Sequence, residues 1–198
     1  AAVSDTLLGH FVDGRIVLDE QRLSDQELRE VDKVFIVACG TAYYAGLVAK
    51  YWFETLARLP VEIDVASEFR YREMPLSKDQ AALFISQSGE TADTLASLRY
   101  CRDNGLKIGA VVNVKESTIA RESDAVFPIL AGPEIGVAST KAFTCQLAVL
   151  ASLALAAGRA RGTLTEAEEK QLVKSLAEMP RIMSQVLNAV QPQIEALS

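Results

Sequence analysis

The chain has 198 residues, 49% of them apolar, and its 20 Lys and Arg against 26 Asp and Glu give a net charge of −6. That apolar content excludes an intrinsically disordered chain and suits a compact domain with a real core. The acidic balance, mixed along the chain, lacks the basic stripe that a phosphate backbone requires, so nucleic acid is not an expected partner.

In chain order, Ala1 to Asp19 carries Asp5, Asp13 and Asp19 and has no basic region followed by an apolar run, so it does not read as a secretion signal. The first residue is Ala rather than Met, as expected of a piece of something longer. His10 sits in a segment of mixed character and reads as a surface or linker residue. Ser24 to Asp32 predicts a lead-in helix, with Ser24 and Glu27 at capping-box spacing. Five strand-length apolar runs follow: Val34 to Ala38, Val61 to Ala66, Ala81 to Ile85, Ile108 to Val112 and Ala125 to Leu130. Between and after them come a helix from Ala42 to Leu59, a turn-rich stretch from Ser67 to Met74, and helices at Ala92 to Asn104, Ser117 to Glu122 and Thr140 to Ala157. Thr165 opens an amphipathic helix expected to end before Pro180, and Arg181 to Leu197 reads as a second helix broken by Pro192.

Continuous rather than alternating apolar runs mark strands covered on both faces, the habit of parallel sheets between helices. The expected fold is therefore α/β, a three-layer αβα sandwich around a five-stranded parallel sheet, with added C-terminal helices. Residues 1–33 form an N-terminal extension, 34–160 the α/β domain, and 161–198 the C-terminal helices. The longest apolar stretch, Leu147 to Ala157, falls short of the ~20 residues that cross a bilayer, so it reads as a buried helix and no membrane is expected. Cys39, Cys101 and Cys145 are an odd number, widely spaced, and suit reduced thiols in a cytoplasmic protein. Without paired cysteines or a histidine cluster, neither a metal nor any other cofactor is expected.

Ligands of open α/β sheets bind beyond the carboxyl ends of the strands. Three of the loops there are rich in hydroxyls and glycines: Cys39-Gly40-Thr41-Ala42, Ser86-Gln87-Ser88-Gly89-Glu90-Thr91, and the stretch from Gly132 through Glu134, Val137, Ala138 and Ser139 to Lys141. In the second, Ser86, Ser88 and Thr91 place hydroxyl donors around a helix start whose free N–H groups favour an anion. Gly89 lets the backbone approach a ligand, and Gln87 offers an amide. Any one such loop could be simple helix capping; three together point to a ligand. No G-x-G-x-x-G and no G-x-x-x-x-G-K-[ST] is present. Hydroxyls without a basic cradle suit a single phosphate, hence a sugar phosphate.

Four motifs carry a resemblance: Cys39-Gly40-Thr41, Ser67 through Arg72, Ser86 through Thr94, and Glu134 through Thr144. In this order they resemble the first sugar isomerase (SIS) domain of the glutamine:fructose-6-phosphate aminotransferase family, over nearly the whole chain from Leu7 to about Leu197. The resemblance implies a flavodoxin-like SIS fold, with the C-terminal helices leading into a second SIS domain beyond this chain. It implies that Ser86, Gln87, Ser88 and Thr91 grip the phosphate of fructose 6-phosphate or glucosamine 6-phosphate. Cys39 through its backbone and Thr41 approach the sugar hydroxyls, and Val137 through its backbone, Ala138 and Ser139 form the opposite wall. Gly40, Ala42, Gly89, Glu134 and Lys141 lie in the same motifs. Where the family often has Ser, this chain has Ala42, which implies weaker phosphate binding.

The family's glutaminase domain and second SIS domain, with its Glu, His and Lys, have no counterpart here, so no catalytic residue is expected within the chain. It should bind without turning over, as half of an isomerising transferase. Glu90 reads as a helix-start carboxylate, and Glu134 as a partner of local backbone or of a neighbouring domain. Lys141 faces a phosphate, Glu134 or solvent. Arg70 and Arg72 brace a domain or subunit contact, and Cys101 and Cys145 pack helices. A sugar-phosphate-sensing module and a stand-alone isomerase that borrows its base from a neighbouring subunit are the other readings. Apolar surface left where the second domain docks implies a homodimer.

Overall fold

The computed structural model describes residues 1–18, 23–134 and 139–196. A short helix α1 (Ala2–Thr6) leads to a two-residue-per-strand antiparallel ribbon, β1 (Phe11–Val12) and β2 (Arg15–Ile16), and then to α2 (Asp25–Glu30). The chain continues through β3 (Lys33–Ala38), α3 (Thr41–Leu56), β4 (Val61–Val65), α4 (Ala66–Phe69), β5 (Gln80–Ser86), α5 (Ala92–Asp103), β6 (Lys107–Val112), α6 (Thr118–Arg121), β7 (Ala125–Pro128), α7 (Lys141–Ala160) and α8 (Glu166–Glu195). The strands from β3 onward form one parallel sheet in the order β4-β3-β5-β6-β7.

Strand alternation builds the three layers. In β3, Ile36 and Ala38 point into the core shared with α3 and α7, while Phe35 and Val37 point into the core shared with α4, α5 and α6. Both sets are at most 1% exposed. Each large side chain so buried contributes about 1.5–3 kcal/mol, which is why the strands read as unbroken apolar runs. Helix α3 lies tight on the sheet because Gly46 carries no side chain there; a Cβ would come within 2.7 Å of Ile63 and 2.8 Å of Ile36.

The strands expected from the sequence are present within one or two residues, and α2 carries the expected capping box: Glu27 N–H donates to Ser24 Oγ at 3.2 Å while Ser24 N–H donates to Glu27 Oε2 at 3.0 Å. Helix α7 runs three residues past the expected end at Ala157. It is long and apolar enough to cross a membrane, but 72% of its apolar window is buried inside the domain, as befits a core helix.

Two expectations need correction. Instead of two helices parted by Pro180 and a break at Pro192, α8 is one helix containing both prolines. Each proline removes one i→i−4 hydrogen bond, but the strong helix formers around it supply the remaining bonds of the turn. Thr165 and Glu168 cap the start, with Glu168 N–H donating to Thr165 Oγ1 at 3.3 Å. His10 is not a surface residue: it is 5% exposed, at the turn between α1 and the ribbon.

The N-terminal ribbon is pinned to the two C-terminal helices by charge. Glu169, 2% exposed, accepts from Ile16 N–H at 3.4 Å and from Arg159 Nη1 at 3.2 Å, and Arg159 Nη2 reaches Asp25 at 2.8 Å.

Candidate functional site

Strands β3 and β5 are neighbours, yet their crossovers leave in opposite directions, β3 through α3 to β4 and β5 through α5 to β6. Helix α3 covers one face of the sheet and α5 the other. The two loops therefore part at the carboxyl ends of the strands, and a crevice opens between them.

A cavity of about 170 Å³ occupies that crevice. The sequence-predicted residues Cys39, Thr41, Ala42, Ser86, Gln87, Ser88 and Thr91 line it, together with Ile85, Thr94 and Gln146. Two helices start at its edge. Gly40, with φ +60°, is the N-cap of α3, and Thr91 is the N-cap of α5; neither start carries a side-chain cap bond. Helix starts without side-chain caps offer N–H groups and the positive end of the helix dipole to an anion.

The hydroxyls of the β5 loop shape the loop and do not cap α5. Ser86 Oγ accepts from Gly89 N–H at 3.0 Å and lies 3.4 Å from Thr91 Oγ1, and Ser88 Oγ accepts from Glu90 N–H at 3.2 Å. Ser88, an acceptor in its bond, keeps an O–H proton to donate, and so does one of Ser86 and Thr91, whichever accepts in their mutual bond. The loop is also held from behind: Asn113 N–H donates to Gln87 O at 3.2 Å, and Ile119 N–H to Gly89 O at 3.0 Å. Gly89 has φ +67°, a left-handed backbone that suits glycine.

Glu90 does not serve the start of its own helix. Its Oε1 accepts from Thr118 N–H at 2.7 Å, which caps α6, and this bond holds its carboxyl below the usual range. Among the described residues, no Lys or Arg lines the cavity. An anion there would be held by neutral donors and helix ends.

Glu134 caps the long helix α7. It accepts from the backbone N–H of Thr140 (2.7 Å), Lys141 (2.9 Å) and Ala142 (3.2 Å), and from Ser139 Oγ at 2.8 Å. The Thr140 N–H, followed by Ser139 Oγ and the other two amides, pulls its carboxyl down to about 2 against the cost of burial. Ser139, expected on the sugar wall, spans to Glu134 and does not line the cavity. Lys141 Nζ donates to Pro133 O at 2.8 Å, neither toward the cavity nor to the Glu134 side chain. Val137 and Ala138 lie outside the described residues.

Arg70 pairs with Asp93 at 2.6 Å and Arg72 with Asp64 and Glu62. Both thus pair with acidic side chains of this chain. Cys101 and Cys145 are buried in the two cores, as expected, and burial pushes the Cys101 thiol up to about 12. Cys39 is half-buried at the cavity.

Thr94 was read only as the end of a motif and Gln146 was not singled out, because neither belongs to a strand-end loop. One signal was present for Gln146: it shares a helical stripe with Ala142, Val149 and Leu150, all buried, so a polar residue interrupts an apolar face.

Comparison with known proteins places this geometry among relatives. The sequence pattern of the SIS domain matches residues 27–156. The chain is 73% identical over 195 residues to a glutamine–fructose-6-phosphate aminotransferase (isomerizing) of Rhizobium meliloti, and 73% identical over 193 residues to the protein of the same name from Agrobacterium fabrum. Each alignment takes in 96% of this chain and 31% of the relative, so the chain spans about a third of their length. Among solved structures, the C-terminal domain of glucosamine-fructose-6-phosphate aminotransferase from Francisella tularensis superposes with a TM-score of 0.87 at 42% identity, over 98% of this chain and 54% of that one.

Proposed function

This chain belongs to the SIS domain family, and on that premise we propose that it is the sugar-phosphate-binding half of the isomerase region of a glutamine–fructose-6-phosphate aminotransferase. The whole protein would convert fructose 6-phosphate and glutamine to glucosamine 6-phosphate and glutamate. The observation that carries this reading is the cavity at the β3/β5 divergence, where Thr41, Ser86, Gln87, Ser88 and Thr91 meet two helix starts.

The phosphate sits against the β5 loop. Ser86, Ser88 and Thr91 donate hydroxyl hydrogen bonds to its oxygens, the amides at the start of α5 add to these, and the dipole of that helix favours the charge. The sugar extends toward Cys39 and Thr41, and Val137, Ala138 and Ser139 are assigned to the opposite side of it. For Ser139 this requires its hydroxyl to leave Glu134. Isomerisation moves a proton between C1 and C2 and needs a base within hydrogen-bond reach of them. Both carboxylates of the motif loops, Glu90 and Glu134, are engaged in helix capping, so the base comes from another part of the longer protein. The chain alone binds and does not turn over.

Residues 34–160 act as the binding domain, with 1–33 as an extension and 161–198 leading into the second SIS domain. The protein works in the cytoplasm as a homodimer, without nucleic acid or membrane.

Thermal shift tests the site: fructose 6-phosphate raises the melting temperature and inorganic phosphate at the same concentration raises it less. Equal shifts, or none, remove the sugar site. Incubation with fructose 6-phosphate and ammonia yields no glucosamine 6-phosphate; product formation would make the chain a complete enzyme. Light scattering gives twice the 21.5 kDa of one chain, and a monomer at high concentration removes the dimer.

A further inference from the structure

Gln146 stands in the second turn of α7, 1% exposed, and its side chain borders the cavity together with Ala42, Ser86 and Thr94. Its Oε1 is buried and accepts no hydrogen bond. A buried acceptor without a donor is unfavourable and rare, and an apolar side chain of similar length would avoid the penalty on this otherwise apolar stripe. Among the described residues none supplies the missing donor. A group that enters the cavity can supply it once the amide oxygen turns toward it.

The chemistry of that donor follows from the other groups present. Ser86, Ser88, Thr91 and the amides at the helix starts are donors, suited to the oxygens of a phosphate. A phosphate monoester dianion has acceptors only, so it has nothing to give to Gln146 Oε1. A hydroxyl on the ligand's carbon skeleton does. Resting on the sugar-phosphate reading above, we propose that Gln146 is a specificity-determining residue of this cavity. Its buried carboxamide oxygen accepts from a hydroxyl of a polyol phosphate, so the site takes hydroxylated phosphate monoesters in preference to bare tetrahedral dianions. A site built to pair a substrate hydroxyl discriminates against ligands that lack one, because its own polar group is otherwise left unpaired.

Calorimetric titration of the 198-residue chain with fructose 6-phosphate and with sulfate tests this, since sulfate is a tetrahedral dianion with no proton to donate. The wild type binds fructose 6-phosphate more tightly than sulfate. Gln146→Met, close in volume and without the acceptor, loses about tenfold in fructose 6-phosphate affinity and holds its sulfate affinity within about twofold. The melting temperature of the ligand-free variant is equal to or above that of the wild type, whereas a merely structural residue would lower it. If Gln146→Met fails to fold, Gln146→Asn, which withdraws the amide by one methylene, shows the same split between the two ligands. Unchanged fructose 6-phosphate affinity in the variant overturns the proposal while leaving the sugar site intact. So does an equal loss for both ligands, which would put Gln146 on the anion. A wild type that binds sulfate and not fructose 6-phosphate overturns the sugar-phosphate reading, and this inference with it.

Discussion

Gly89 packs directly against Ser117: a Cβ at position 89 would overlap the Ser117 hydroxyl, and the glycine also holds φ at +67°. The β5 loop and the start of α6 are therefore one unit, closed by Ile119 N–H on Gly89 O and by Thr118 N–H on Glu90. Gly89→Ala meets both obstacles. The left-handed backbone costs about 1–2 kcal/mol for a residue with a Cβ, and displacing Ser117 from Ala120 N–H loses an N-cap worth about 1 kcal/mol. Urea denaturation should show a loss of about 2–3 kcal/mol. Sugar-phosphate affinity should fall by about tenfold or more, since Ser86 and Ser88 move with the loop. A variant as stable as the wild type would separate the loop from α6.

Ala42 lies in the first turn of α3, 6% exposed, on the wall of the cavity. Ala42→Ser adds a hydroxyl at a helix start facing the place assigned to the phosphate. One neutral hydrogen bond is worth about 1 kcal/mol, or roughly fivefold in affinity. Titration with fructose 6-phosphate should show that gain, and unchanged affinity would take position 42 out of contact with the ligand.

Two carboxylates tie the fold to pH. Glu134, held by Thr140 N–H and its neighbours, and Glu122, held chiefly by Arg99 and also by Arg102, are both pulled down to about 2 from an ordinary 4.5. Their folded values lie below the unfolded one, so the stability they contribute is fully present above pH 4.5 and lost as pH falls from 4.5 toward 2. Urea midpoints of Glu134→Gln should be lower than wild type near neutral pH and converge on it across that window. A constant gap down to pH 2 would show that the carboxylate charge is not the cause.

Arg159 and Glu169 form a partly buried pair, with side chains 24% and 3% exposed. Arg159→Met leaves the Glu169 charge buried without a counter-ion, which costs about 3 kcal/mol or more. It also removes the link to Asp25. Adding Glu169→Leu to that variant should recover most of the loss, because a buried pair is worth little net against packed apolar side chains. Equal stability of the single and double variants would count against the buried charge as the source of the cost.

The parallel sheet was legible in the amino-acid order because strands buried on both faces must be apolar throughout. Val34 to Ala38 and Ala81 to Ile85 could hardly read otherwise. The cavity-lining β5 loop was legible for a related reason: small hydroxyl residues and a glycine stand between a strand and a helix, at the edge where an open α/β sheet leaves a crevice. Local rules failed where a distant partner outweighed them. Proline propensity predicted a break at Pro180, yet α8, anchored through Val173 and Glu169 against the rest of the chain, continues through it. His10 read as a surface or linker residue, yet it is buried at the turn between α1 and the ribbon.

Sequence alone determined which residues form the sheet, and that hydroxyl-rich loops stand at its carboxyl edge, because both follow from side-chain chemistry and short-range spacing. Only the tertiary structure decided that β3 lies beside β5, so that two loops distant in sequence face one cavity, and that Gln146 reaches the same cavity from α7. Strand order and helix packing join positions far apart in the chain, and no local pattern records what a buried amide finds, or lacks, as its partner.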